Sequence, residues 1–254
     1  MPVIILLHSS KTMRLPSAGT RPTGTPVLLD RARELVERLR RLTPEQLAQA
    51  MAISADLAAK TKAQYDAWTP EPVACAAETF VGDIYSGLRV DSFGPADRRF
   101  AEAHLRILSG LYGILRPFDG IAPYRLEMGY RLPGLNLYEF WGRTIAEQLP
   151  DTGLIVNLAA TEYSRTVTKY VDAERVVTPK FLTVDARTGR PKFVVVHAKI
   201  ARGAFARWLI TRQGGDLREF ADIGYAYDAD LSSEREPVFV CSTFGGKGLS
   251  VRLT

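Results

Sequence analysis

Cysteine is the scarcest of the reactive residues in this 254-residue chain, which holds two, Cys75 and Cys241. Two distant thiols build no disulfide framework and show no metal-ligand spacing, so a reducing compartment is expected. Histidine is nearly as rare: His8, His104 and His197 stand on separate segments, and each reads as a hydrogen-bonded structural residue rather than a base or ligand. Long apolar runs are missing too. The run from Val3 to Leu7 is too short to span a membrane and has no basic stretch before it, so it reads as a buried strand of a cytoplasmic protein with no membrane partner. Also absent are Gly-x-Gly-x-x-Gly after a strand, a Gly-x-Ser-x-Gly elbow, His-Glu-x-x-His and an acidic triplet for magnesium. No cofactor and no metal are expected. Gly245-Gly-Lys-Gly248 lacks the spacing of a phosphate loop.

What is present is a core. Hydrophobic residues make up 46% of the chain, enough for one sizeable domain, and a net charge of +5 leaves room for an anionic partner without demanding one. Apolar residues at helical spacing predict helices over 27–41, 45–51, 54–68, 94–108, 135–149 and 198–212. Continuous β-branched runs predict buried strands at 3–7 and 153–159, and further strands at 176–184, 192–197, 224–228 and 236–241. Strands alternating with helices point to a mixed α/β (α+β) fold. It is read as one composite domain over 1–241, with a central mixed sheet, surrounding helices and a flexible tail over 242–254. A monomer is favoured.

Polar chemistry gathers around one stretch. Gly110 and Gly113 stand three apart in an apolar turn bracketed by Arg106 and Arg116, and Tyr124, Arg125 and Glu127 follow. Glycines in such a turn let backbone N–H groups approach an anion, so a phosphate is the expected guest. Lys11 closes the first strand and Asn157 interrupts the second, where a buried amide must brace a loop or face a site. Glu162 and Tyr163 lie at a helix start. Asp83 and Tyr85 are presented by a loop, or else cap a short helix and fill the core. The 198–212 helix is the most basic of the chain and has no acidic residue, which makes Lys199 and Arg202 candidates for anion contact.

Taken together, several segments resemble the YaaA family of peroxide stress proteins. They are His104-Leu-Arg-Ile-Leu-Ser-Gly-Leu-Tyr-Gly-Ile-Leu-Arg-Pro117, Pro123-Tyr-Arg-Leu-Glu-Met-Gly129, Leu137-Tyr-Glu-Phe-Trp-Gly142, Val156-Asn-Leu-Ala159 with Glu162-Tyr163, Ala198-Lys-x-Ala-Arg-Gly203 and Gly224-Tyr-x-Tyr-Asp228. The resemblance implies a helix-hairpin-helix element like those of DNA-repair proteins, which would fall on Ser109 to Gly113. It also implies DNA as partner and a protective role when peroxide meets intracellular iron. One departure is plain: the family's first strand ends in Ser-Pro-Ala-Lys-Thr, and this chain has His8-Ser-Ser-Lys-Thr12.

Two functions are therefore expected as rivals. A DNA-binding protein would hold phosphates with Arg106, the Gly110 and Gly113 amides, Arg116, Lys199 and Arg202. An enzyme acting on a small anionic, nucleotide-like or carboxylate substrate would use Lys11, Arg125, Glu127, Glu162 and Tyr163 as its catalytic set, in a pocket with Asp83, Tyr85, Tyr124 and Asn157. A third reading makes Arg125 and Glu127 a buried structural ion pair.

Overall fold

The computed structural model describes residues 3–17 and 19–247, so residues 248–254 of the expected tail lie outside the described residues. The chain opens with β1 (Val3–His8) and β2 (Thr12–Met13), then three helices, α1 (Leu29–Arg40), α2 (Pro44–Met51) and α3 (Ala55–Asp66). Next come β3 (Ala74–Cys75), α4 (Ala76–Thr79), β4 (Phe80–Val81), α5 (Asp83–Leu88) and α6 (Pro95–His104). A hairpin of β5 (Leu105–Ser109) and β6 (Gly113–Leu115) leads to β7 (Gly120–Ile121), β8 (Arg131–Leu132), β9 (Leu135–Asn136) and α7 (Leu137–Trp141). The last third holds β10 (Leu154–Asn157), α8 (Thr161–Thr168), β11 (Val176–Val177), β12 (Lys180–Val184), β13 (Pro191–Lys192), α9 (Val195–Thr211), β14 (Tyr225–Asp228) and β15 (Val238–Cys241).

The order of the main sheet is β11-β10-β1-β5-β6, parallel except for β6. β1 is its centre, with Ile4, Ile5, Leu6 and Leu7 buried as a central parallel strand requires. After β1 the chain crosses to β5 on one side; it later returns to β10 on the other. Strand order therefore reverses between β1 and β10, and open α/β sheets form a crevice beyond the carboxyl ends of the strands at such a point. His8 and Asn157 are the residues that end these two strands. A second sheet, β13-β12-β15-β14, packs Phe181 and Phe239 with Phe205 of α9 and Phe220.

The first three helices follow the sequence closely. α1 buries Ala32, Leu35, Val36 and Leu39. A capping box between Thr43 and Gln46, with Pro44 in the first turn, starts α2, and the Ser54 hydroxyl accepts from the Leu57 amide (3.3 Å) to start α3. Between them Ala52 is left-handed, at φ 51°. α5 lies across α9 so closely that a Cβ on Gly203 would stand 1.8 Å from the Ile84 carbonyl oxygen, a crossing that only glycine permits.

Several expectations need correction. The helix predicted over 94–108 ends at His104, because Leu105–Ser109 pairs with β1 and β6 as a strand. The helix-hairpin-helix placed at Ser109 to Gly113 is thus a β-hairpin turn. Its apolar residues Leu105, Ile107 and Leu108 continue the helical spacing of Phe100 and Ala101, which hides the change of period. The helix predicted over 135–149 is broken at Gly142, whose φ is 48°. The strand predicted over 192–197 is confined to Pro191–Lys192, since Val195 already begins α9. Among the described residues no helix is long and apolar enough to cross a membrane.

Candidate functional site

The main chain beyond β1 and β10 is held by the strands beside it. Ser9 N–H donates to the Leu108 carbonyl (2.8 Å), and the Leu158 amide donates to the Leu6 carbonyl (2.9 Å). His8 is buried, stacked on Tyr163 of α8 with ring centroids 4.9 Å apart. Its Nδ1 accepts the Ala160 N–H (3.2 Å), and its carbonyl accepts the Tyr85 hydroxyl (3.0 Å). An Nδ1 that accepts places the ring proton on Nε2. Burial drives the His8 pKa down to about 3, helped by the positive charges of Arg202 and Lys199, so the imidazole is neutral at physiological pH.

From Tyr163 the network runs to Glu127. The tyrosine hydroxyl donates to Glu127 Oε1 (2.9 Å), and Lys11 Nζ stands 3.6 Å from Oε2. Burial raises the Glu127 pKa; Tyr163 and Lys11 oppose the rise, and the nearby Glu162 carboxylate adds to it. The Tyr163 hydroxyl is held well above its usual range by burial and then by the Glu127 charge. Glu162 accepts the Gly129 amide on Oε1 (2.7 Å), and its carbonyl accepts the Tyr138 hydroxyl (3.0 Å). Arg125 Nη1 donates to the Lys11 carbonyl (3.4 Å), while its Nε is buried with no hydrogen-bond partner. The five candidates Lys11, Arg125, Glu127, Glu162 and Tyr163 are therefore brought together. Glu127 pairs with Lys11 rather than with Arg125.

The pocket candidates divide. Tyr124, one residue before Arg125, shares a hydrogen bond with Ser109 (2.7 Å). Tyr85 holds the His8 carbonyl, and Asp83 begins α5, so this pair sits in a short helix and not in a loop. Asn157 braces a loop: its side chain accepts the Ala159 amide (3.1 Å) and donates to Thr178 Oγ1 (3.2 Å).

The phosphate candidates do not form one surface. Gly110 and Gly113 are buried, and a Cβ on Gly110 would lie 2.4 Å from the Leu126 carbonyl oxygen. Gly113 has φ +69°, with the Trp141 ring against it, and Trp141 Nε1 donates to the Gly110 carbonyl (3.0 Å). The turn is a seat for the Arg125–Glu127 segment, closed to a phosphate. Arg106 turns away from the crevice to cap α6, donating to the carbonyls of Glu102 (3.0 Å), Ala103 (3.1 Å) and Leu105 (2.7 Å). It lines a 290 Å³ hollow with Arg116 and Asp119. Lys199 and Arg202 lie on α9, near enough to His8 to depress its basicity.

His8 is the hydrogen-bonded structural residue that the sequence suggests, and what the sequence did not give is its place against Tyr163. The signal for that place was its position, the last residue of the central strand, and not its residue type. Among the described residues no group of three or more His, Cys, Asp or Glu could hold a metal ion.

A family model described as peroxide stress protein YaaA matches residues 3–231. A UPF0246 protein of Salinispora tropica is 55% identical over 258 residues, covering 98% of each chain. A UPF0246 protein of Cupriavidus metallidurans is 42% identical over 257 residues, covering 93% of this chain and 98% of the relative. Full-length identity at these levels, together with the family match, leaves one conclusion: the chain belongs to the YaaA family of peroxide stress proteins.

Proposed function

We propose that this chain acts in the cytoplasm under peroxide stress by binding DNA, and that α2 and α3 are the helix-hairpin-helix that does it. The observation that carries the reading is the hairpin itself. Ala52, Ile53 and Ser54 alone connect the two helices, Ala52 in the left-handed region, so α3 starts directly at an exposed tight turn whose Ser54 caps the Leu57 amide. Amides at a helix start, backed by the helix dipole, suit a backbone phosphate and read no base. Basic side chains flank the turn on both sides. Arg131 lines a 550 Å³ hollow with Gln46 and Gln49 of α2, and Lys60 of α3 lines a second hollow. The cation run Lys60-Thr-Lys62, which the sequence alone suggests is a solvated face, is then part of the contact surface.

The test is a salt titration of duplex DNA binding by the full-length protein. Affinity falls steeply between 50 and 200 mM salt, and the Lys60→Ala/Arg131→Ala double variant binds more weakly, with the log–log slope reduced by about 0.9 per lost phosphate contact. A slope unchanged in the double variant would sink the reading. The same variant is expected to protect a peroxide-treated deletion strain less well than the wild type.

A further inference from the structure

The hollow of 410 Å³ between α3 and the Lys11–Arg125 pair contains more than a DNA surface requires. Tyr124 and Arg125 form one wall, Lys60, Thr61 and Gln64 the other, and Lys11 stands between them. The volume is that of a small-molecule pocket. Its cations are incompletely satisfied. Arg125 has one N–H on the Lys11 carbonyl at 3.4 Å, a long bond, and its buried Nε is unpaired. The terminal N–H groups of such a guanidinium can take a planar oxyanion, the group whose geometry matches them. Behind Lys11 lies a proton-handling chain, Lys11 to Glu127 (3.6 Å) to Tyr163 (2.9 Å), stacked on a neutral His8.

We infer that this hollow binds a small molecule through a phosphate or carboxylate group held by Arg125 and Lys11, with Glu127 standing behind Lys11. The anion engages the terminal N–H groups of Arg125, and Lys11 is shared between the ligand and Glu127. Glu127 couples the site to pH through Lys11, because burial sets its basicity above that of an ordinary carboxylate and its Oε2 lies 3.6 Å from Lys11 Nζ. The groups that set its titration are Lys11 on the loop after β1, Tyr163 and Glu162 on α8, and Tyr130 on its own segment. This site shares Lys60 with the DNA contact proposed at the α2–α3 turn, whereas Arg131 belongs to the DNA contact alone.

The experiment is calorimetric titration of the full-length protein with three probes: inorganic phosphate, ribose 5-phosphate and citrate. One class is expected to bind saturably at one site per chain, and comparing the phosphate probes with citrate tells which group is recognised. Arg125→Ala should weaken that binding at least tenfold and Arg125→Lys less, in line with a lost charge-assisted bond. Glu127→Gln should raise the affinity at neutral pH and abolish its rise on acidification, since the substitution, like protonation of Glu127, removes a negative charge near the anion. Arg131→Ala should weaken DNA binding alone. Thermal melts monitored by circular dichroism confirm that each variant is folded. The inference is overturned if no probe binds saturably, or if Arg125→Ala leaves the affinity unchanged in a folded protein.

Discussion

At the scale of single residues, thiols and the tyrosine–carboxylate pair make opposite predictions. A cysteine that senses peroxide needs an accessible thiolate with a lowered pKa. Cys75 and Cys241 are both buried, and burial raises the pKa of each. A Cys75→Ala/Cys241→Ala variant should therefore protect a peroxide-treated deletion strain as the wild type does, and a loss of protection at normal protein level would refute this. Tyr163 is a different case. Its hydroxyl is the bond that links Glu127 to α8, at 2.9 Å, in a place where neither partner reaches water freely. Tyr163→Phe leaves that carboxyl oxygen without its donor, so urea unfolding should show a loss of about 1–3 kcal/mol.

At the scale of elements, the outcome depends on how close two backbones come. The crossing of α5 over α9 leaves no room for a methyl at Gly203, where a Cβ would be 1.8 Å from the Ile84 carbonyl oxygen. Gly203→Ala must push the helices apart and should destabilise by about 1–3 kcal/mol or more, measurable as a lowered thermal midpoint. Ala52 at φ 51° predicts the reverse, because glycine occupies the left-handed region without the Cβ penalty; Ala52→Gly should raise the midpoint slightly while keeping the α2–α3 turn. The same elements explain what the sequence could reveal. α1, α2 and α3 were legible because exposed amphipathic helices display both their caps and their period. β1 and β10 were legible as unbroken apolar runs. β5 was not, since a buried strand directly after a helix shows no change of residue type, and Leu105 and Leu108 suit either period. That Lys11, Glu127 and Tyr163 come together was not legible, because the three lie on separate loops and a helix that only the fold brings to one place. The phosphate candidates Gly110 and Gly113 were misread because a glycine needed for close packing looks identical to one needed for a ligand.

At the scale of the whole molecule, two buried groups give stability opposing pH dependences. His8 has a folded pKa of about 3 against an ordinary value of 6.5, so over that range the unfolded chain binds the extra proton. Stability from this source is fully present above about pH 6.5 and is lost as pH falls toward 3. Asp119 behaves oppositely. Buried behind Arg116, it has a pKa raised by burial from 3.8 to about 6, so the folded chain binds the extra proton and stability declines as pH rises through that range. Glu127, also raised by burial, adds to the Asp119 side. Each proton difference contributes a slope of at most about 1.4 kcal/mol per pH unit, so between about pH 4 and 6 the two effects largely cancel. Removing either group should expose the other. Relative to the wild type, the urea midpoint of His8→Gln should rise on acidification from pH 6 to 4, because Asp119 and Glu127 have then lost the buried group that opposes them. That of Asp119→Asn should fall more steeply than the wild type's over the same range, because of the two carboxyls only Glu127 then opposes His8. Profiles for both variants that run parallel to the wild type would show that neither group titrates as its burial requires.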